Sequence, residues 1–508
     1  MNESKEEKEH KKCVKCKQVK LLNIKHELCQ ACFDLRVKEK KYGKCIACEQ
    51  PNTGENWCQV CNSKRFQQNF NKWTSGNNDV DKFIQKLQLS AKNYYQLLEW
   101  IPYERFYKVE YIAKGGFGKV YRANWKDGYI SHWDINKNQW KRHSQNRNDY
   151  VALKSLDHSQ NVTLEFLNEI TLHVKVIEDK ISNNIIRCYG ITQDPVTKDY
   201  MMVMNYAKLG GLRNVLSERG KRLHKSKKRM YRMQNFNLEL YFWKWRYKIR
   251  ILEGIAAGLH KIHRKGFIHR DLHIGNIVCF RETTCITDMG LCKPANYNEL
   301  ENAGNSIFGV LSYLAPEILR GQHYTQASDI YSFGIIIYET ISELSPYNDT
   351  AHDEFLALKI CEGFRPRFNI EVPSLILHII KRCLDANPSD RPTAKDLSKI
   401  FQLWLEELNK YINDADSETE LIKTNLIKQI EESEKINNTS SSNNSALKYK
   451  IYNEATYSSR LIKFTNELPE PKNSDDYYKY YNDISSVEYS DSLKSNNISD
   501  CLDCEIID

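Results

Sequence analysis

The chain has 508 residues, 41% of them hydrophobic, and a formal net charge of +9 from 74 Lys/Arg and 65 Asp/Glu. That length exceeds what one hydrophobic core usually organises, so two or more modules are expected. The charge admits acidic partners without demanding nucleic acid. The first residues lack an apolar signal region, and the longest apolar run, around 330–338, is far too short for a bilayer. The expectation is an intracellular protein with no membrane span, the cytoplasm favoured.

Residues 1–12 are charged and expected to be disordered. Half of the sixteen cysteines then fall within the first 61 residues, as four C-x-x-C pairs: Cys13/Cys16, Cys29/Cys32, Cys45/Cys48 and Cys58/Cys61. Each pair aims two sulfurs at one point, so 13–65 is expected to carry two four-thiolate Zn2+ sites, with sequential and cross-braced pairings both open. Lys12, Lys15, Lys17 and Lys44 would help to lower the thiol pKa values. Few aromatics are interleaved with these lysines, which argues against nucleic acid and for a structural or protein-docking role.

A short helix is expected within 62–78, running into a loop. A connecting helix is expected over 79–101, with Phe83, Ile84, Leu87, Tyr94, Leu97 and Leu98 at helical spacing, its stripe packed on a neighbouring domain. The region 106–405 reads as a β-rich part followed by a helical part. Its polar connection Lys126–Asn148 is too long for a simple hairpin. A second insert, 219–232, carries eight Lys/Arg and no acid. It is expected to be a solvated loop, with nuclear targeting as the alternative. Long helices are expected over Arg246–His263 and Thr325–Ser342. The segment 414–508, Asn/Ser-rich near 437–445, is expected to be a mostly disordered tail.

The decisive stretch is His269-Arg-Asp-Leu-His-Ile-Gly-Asn276, with Asp288-Met-Gly290 twelve residues on. A carboxylate that orients a hydroxyl, plus oxygen ligands for Mg2+, suits phosphoryl transfer. Its companions occur in order: Ile112-Ala-Lys-Gly-Gly-Phe-Gly-Lys-Val120, Val151-Ala-Leu-Lys154 and Glu169 upstream, then Ala315-Pro-Glu317, Asp329 to Gly334 and Asp390-Arg-Pro392 downstream. On these motifs the chain resembles the protein kinase superfamily, its tyrosine-kinase-like branch nearest, over roughly Phe106–Trp404. With its cysteine-paired front it is similar to a lineage-expanded set of fungal kinase-like proteins.

The resemblance implies an α+β fold: a bilobal protein-kinase fold, β-rich N-lobe and α-helical C-lobe, preceded by the small Cys-rich zinc-binding module. It implies ATP and Mg2+, with Ala113, Gly115, Gly116, Phe117, Gly118, Val120, Ala152, Lys154, Asn205 and Ala207 around the nucleotide and Met204 as gatekeeper. Lys154 would pair with Glu169, for which Glu165 is the rival. Asp271 would be the catalytic base, Asn276 and Asp288 the Mg2+ ligands, His269 a structural histidine, and Glu317 the partner of Arg391. Met289 would fill the slot usually taken by phenylalanine.

Two departures bear on the acceptor. His273 stands where serine/threonine kinases carry lysine, and Val310 where they carry threonine. Protonated, His273 would supply positive charge near the transferring phosphoryl group. The expected function is ATP-dependent transfer to a protein hydroxyl, Ser/Thr favoured over Tyr. The alternatives are an ATP-binding pseudokinase scaffold, or a zinc-module nucleic-acid binder with a regulatory kinase-like domain. Tyr297, Ser306, Ser312 and Tyr313 are the activation-segment hydroxyls, the last two read as buried or capping groups.

Overall fold

The computed structural model describes residues 10–23, 28–115, 118–143, 150–156, 160, 162–177, 184–217, 237–281, 283–295, 307–414, 423–441, 452, 454–464 and 467–474. The chain divides into two units, 1–211 with 277–292 and 212–276 with 293–508.

The first unit opens on three short strands, β1 (His10–Lys12), β2 (Val19–Asn23) and β3 (Leu28–Cys29), paired antiparallel in sequence order. Residues 10–12 are thus backbone-paired, where the sequence suggested disorder. Helix Gln30–Tyr42 follows, then helix Gln59–Gln67, which begins earlier than expected because it grows out of the last cysteine pair.

The connecting helix is Asn78–Ser90, not 79–101. Asn77 caps it by accepting the N–H groups of Asp79 and Val80. After a short turn at Tyr94–Gln96, Glu99–Trp100 already forms β4, because Leu97 and Leu98 point into core that strand geometry serves better. The stripe packs as expected. Val80 and Ile84, fully buried, lie against Phe166 and Ile170 of helix Leu164–Val176.

The principal sheet adds β5 (Phe106–Gly115) and β6 (Gly118–Trp125). The insert then folds as a hairpin of β7 (Tyr129–Asp134) and β8 (Gln139–His143), contrary to the reading of 126–148 as a connection too long for one. Its aromatic content explains why. Trp140 stacks on Phe66 at 4.4 Å and on Trp57 at 5.9 Å, so the hairpin is fixed by a tertiary partner, the second cysteine segment. Strands β9 (Tyr150–Leu156), β10 (Cys188–Gln193) and β11 (Tyr200–Asn205) complete a six-stranded sheet of order β4-β10-β11-β9-β6-β5.

The second unit is helical. Helix Asn237–Arg264 packs along Ala394–Asp414, and Gln326–Ser342 is buried over most of its length. Thr325 starts the latter with a capping box through Ser328. Short strands surround the motif loops. β12 (Phe267–Ile268) pairs with β15 (Lys293–Pro294), both in this unit. In the first unit β13 (Ile277–Cys279) pairs with β14 (Thr284–Ile286). β16 (Ile307–Gly309) pairs with β17 (Arg460–Ile462), far down the tail.

Within 414–508, expected to be mostly disordered, the described residues are built onto the helical part. Helix Asn425–Ser441 buries Leu426, Ile427 and Ile430, and its Glu434 accepts the Trp245 indole N–H at 2.9 Å. Residues 467–474 are anchored as well: the Arg320 guanidinium donates to the Leu468 carbonyl at 3.1 Å, and the Ala386 N–H to Asn473 Oδ1 at 2.9 Å. The β-rich and helical parts agree with the architecture expected from the resemblance. No helix of the described residues is long and apolar enough to cross a membrane.

Candidate active site and metal centres

The first unit holds a buried charge cluster. Lys154 on β9 reaches Glu169 at 2.8 Å and Asp288 at 3.1 Å. The helix bearing Glu169 is capped by Thr163 and packs on the Asn78–Ser90 helix, which fixes its register. Glu165, one turn earlier, is exposed, so the rivalry resolves for Glu169. Burial alone would depress the Lys154 ammonium; Glu169 and Asp288 together override it and raise its pKa well above the usual lysine range. Burial pushes Glu169 upward, against the pull of Lys154. Asp288 takes a left-handed backbone (φ 59°), and Met289 beside it is fully buried.

The nucleotide residues expected from the motif are distributed on the same sheet. Ala113 and Gly115 lie on β5, Gly118 and Val120 on β6, Ala152 on β9; Val120 faces Lys154 across the β6–β9 register. Gly116 and Phe117 lie outside the described residues. Met204 is buried in the core behind the sheet. Asn205 ends β11, its N–H donated to the Arg187 carbonyl at 2.9 Å, and buried Ala207 follows.

The second unit holds the other half of the motif. The backbone turns sharply at Arg270 (φ 70°), a conformation that L residues adopt at a cost. Asp329 holds it there, accepting the N–H groups of His269 and Arg270 at 2.7 and 3.0 Å, with His263 on the same carboxylate at 2.9 Å. His269 is fully buried and its Nδ1 faces the Asp271 N–H at 3.4 Å, in keeping with a structural role.

Asn276 Nδ2 donates to the Asp271 carbonyl at 2.9 Å and to its carboxylate at 3.2 Å. With its nitrogen engaged there, Asn276 presents its amide oxygen as the remaining group, which suits a hard cation; Asp288 offers carboxylate oxygens of the same kind. Burial would raise the Asp271 pKa, but the hydrogen bond and charge of His273, with a hydroxyl donated by Ser459, bring it below the usual carboxylate value.

The His273 ring is held between Gly275 and Ser459. Its Nδ1 accepts the Gly275 N–H at 3.1 Å, so the ring proton of the neutral form sits on Nε2. Nε2 lies 3.2 Å from Ser459 Oγ and 3.6 Å from Asp271 Oδ2. Sequence reading did not single out Ser459. It stands 188 residues beyond Asp271, in a stretch with no motif and only a three-residue strand to mark it.

Other expectations fall into place. Arg391 makes a two-pronged pair with Glu317 at 2.7 and 2.8 Å, deeply buried. Ser312 and Tyr313 are buried, and the Tyr313 hydroxyl bonds Glu339. Tyr297, Ser306 and the basic insert 219–232 lie outside the described residues.

The cysteines converge as two sequential quartets, Cys13/Cys16/Cys29/Cys32 and Cys45/Cys48/Cys58/Cys61, the sulfurs of each within 4.8 Å of one another. The two knuckles repeat one geometry. Lys17 and Glu49, each four residues past the first cysteine, are left-handed (φ 58° and 57°) and donate their N–H back to that cysteine's carbonyl at 2.8 Å. Backbone N–H groups from Cys16 and Cys29 lower the Cys13 thiol to about 6, while burial pushes Cys32 up to about 12. Four sulfurs so gathered fit a divalent cation that would accept them all as thiolates. Lys15 and Lys44 approach Glu39, at 4.0 and 3.3 Å, so their charge is shared with a carboxylate. The remaining described cysteines are buried.

A family model described as protein tyrosine and serine/threonine kinase matches residues 107–401. The chain is similar to the probable serine/threonine-protein kinase gdt2 of Dictyostelium discoideum, 28% identical over 63% of this chain and 17% of that one. It is similar also to the human mitogen-activated protein kinase kinase kinase 7, 26% identical over 63% of this chain and 44% of that one. The chain thus spans less than half the length of either relative.

Proposed function

Because the chain belongs to the protein tyrosine and serine/threonine kinase family, we propose that it transfers the γ-phosphate of ATP to protein hydroxyls, serine or threonine before tyrosine. The observation that carries this is the intact Lys154–Glu169–Asp288 cluster. A scaffold released from catalysis has no need to keep a buried cation between two carboxylates, since breaking such a set is costly and replacing it with apolar groups is not.

In this reading Lys154, steered by Glu169, holds the α/β phosphates as a point charge. Asn276 and Asp288 would hold Mg2+, which neutralises phosphate charge when bound. Asp271, kept anionic by its partners, accepts a hydrogen bond from the acceptor hydroxyl and takes its proton. The cysteine quartets would hold Zn2+ as structural cross-links that let a core-poor segment fold. Through Trp57 and Phe66 that segment rests on the β7–β8 hairpin, which supports a structural role first and protein docking second.

The test is γ-phosphate transfer to casein with Mg2+, parent against Asp271→Asn. The expected loss is about 10²–10⁴-fold, the range for removing a general base. Equal incorporation by the two proteins would end the enzyme reading in favour of a nucleotide-binding scaffold.

A further inference from the structure

The acceptor position beside Asp271 is filled by the chain itself. Ser459 Oγ lies 2.9 Å from Asp271 Oδ1 and 2.7 Å from Oδ2, and 3.2 Å from His273 Nε2. Both carboxylate oxygens are acceptors, so the hydroxyl proton points at Asp271. The His273 ring, with its proton on Nε2, donates to the serine oxygen. One of the two lone pairs on Oγ is then used and the other is left for attack.

The placement is held from both sides of the serine. Ahead of it, the Tyr452 N–H donates to the Asn348 carbonyl at 2.9 Å, His352 Nδ1 meets the Thr456 carbonyl at 2.9 Å, and the Tyr457 hydroxyl donates to Pro346 at 3.0 Å. Behind it, β17 adds to β16 in antiparallel register, ending at Gly309↔Arg460, and Arg460 donates to the His352 carbonyl at 2.6 Å. The Gly309 end of β16 runs beside Asp271: a Cβ there would lie 3.6 Å from Oδ1. A strand added to that edge therefore delivers its next residue onto the base. This is strand addition, in which main-chain bonds supply affinity and one side chain is presented.

We infer that Ser459 is an intramolecular substrate, phosphorylated by this chain's own Asp271 site. The inference rests on the kinase reading above and names its first acceptor. The Oγ–H proton passes to the Asp271 carboxylate. An Oγ–Pγ bond forms as the bond from Pγ to the β,γ-bridging oxygen of ATP breaks, and ADP leaves. Tethering makes the reaction independent of protein concentration. The phosphoserine formed carries close to two negative charges next to the carboxylate, which expels the strand and vacates the position for other acceptors.

The full chain, stripped of phosphate with a phosphatase, is incubated with Mg-ATP over a hundredfold range of dilution, with casein in parallel reactions, and phosphosites are mapped by mass spectrometry. The expected result is phosphate on Ser459, at a first-order rate unchanged by dilution and absent from Asp271→Asn. A Ser459→Thr variant should accept phosphate at the same position, and Ser459→Ala should not. Casein or other sites labelled with Ser459 bare would overturn the inference and leave the kinase reading standing. So would a rate at Ser459 that rises in proportion to protein concentration, since the transfer would then be between molecules. No label on the chain or on casein, even with Arg460→Ala to loosen the strand, would overturn both.

Discussion

Two parts of the motif machinery are built on opposite principles. The Lys154–Glu169–Asp288 cluster is closed on itself: its charges answer one another, and a helix packed behind Glu169 locks the arrangement. The Asp271–His273–Asn276 cluster is open, and what completes it is a serine from a distant strand held mainly by main-chain hydrogen bonds. A binding group for a constant ligand is best made rigid, whereas a position that must accept one hydroxyl after another has to exchange its occupant. The contrast predicts that the first cluster fails by destabilisation and the second by change of occupant.

The largest expected effect lies upstream of both. Removing the proposed Zn2+ from the cysteine quartets with a strong chelator should unfold 13–65, because binding free energy of about 10–16 kcal/mol per structural zinc would be folding free energy there. Limited proteolysis should show cleavage within 13–65 while 452–474 keeps its protection. Loss of protection in the tail as well would mean that the two regions are not independent.

Within the closed cluster, Glu169→Ala leaves a buried ammonium short of a partner and should cost about 3–5 kcal/mol in denaturant melts. Lys154→Met removes the pull that opposes burial at Glu169, so the variant should lose stability as pH rises above the ordinary carboxylate range. A variant whose stability stays flat as pH climbs from that range to neutrality would show that Glu169 does not depend on Lys154.

Ile84→Ala, behind the Glu169 helix, should cost about 2–5 kcal/mol as a core cavity. It should also reduce transfer to Ser459 and to casein alike, since it acts on the shared nucleotide side. The smallest effect belongs to the open cluster. Arg460→Ala removes one hydrogen bond from the seated strand, worth about 0.5–1.5 kcal/mol. Phosphorylation of Ser459 should fall by roughly 2- to 12-fold while that of casein rises or holds. A parallel fall in both would show that the strand supports the site instead of occupying it.

How much of this was legible beforehand follows the reach of each interaction along the chain. The glycine-rich strand pair, Lys154 and the 269–276 loop announce themselves because their chemistry fixes residue type at short spacing. Glu317 with Arg391 is legible for the same reason, although their contact is long-range. The quartets were legible as ligand sets, but their sequential pairing was not, since spacing alone serves both arrangements. The hairpin 129–143 is not legible in the sequence, because its strands are polar and its stability comes from Trp140 meeting Trp57 and Phe66. The connecting helix is shorter than its apolar pattern predicts, because Leu97 and Leu98 continue a pattern that the sheet, not the helix, uses.

The sequence by itself determined the kinase family and the residue types gathered in the charge clusters and the cysteine quartets, because those depend on which atoms are present at fixed local spacing. Only the tertiary structure decided what faces Asp271. Ser459 carries no distinguishing chemistry among the chain's many serines; it becomes an acceptor because main-chain pairing of 460–462 with 307–309 sets it there, and backbone hydrogen bonds are available to any sequence.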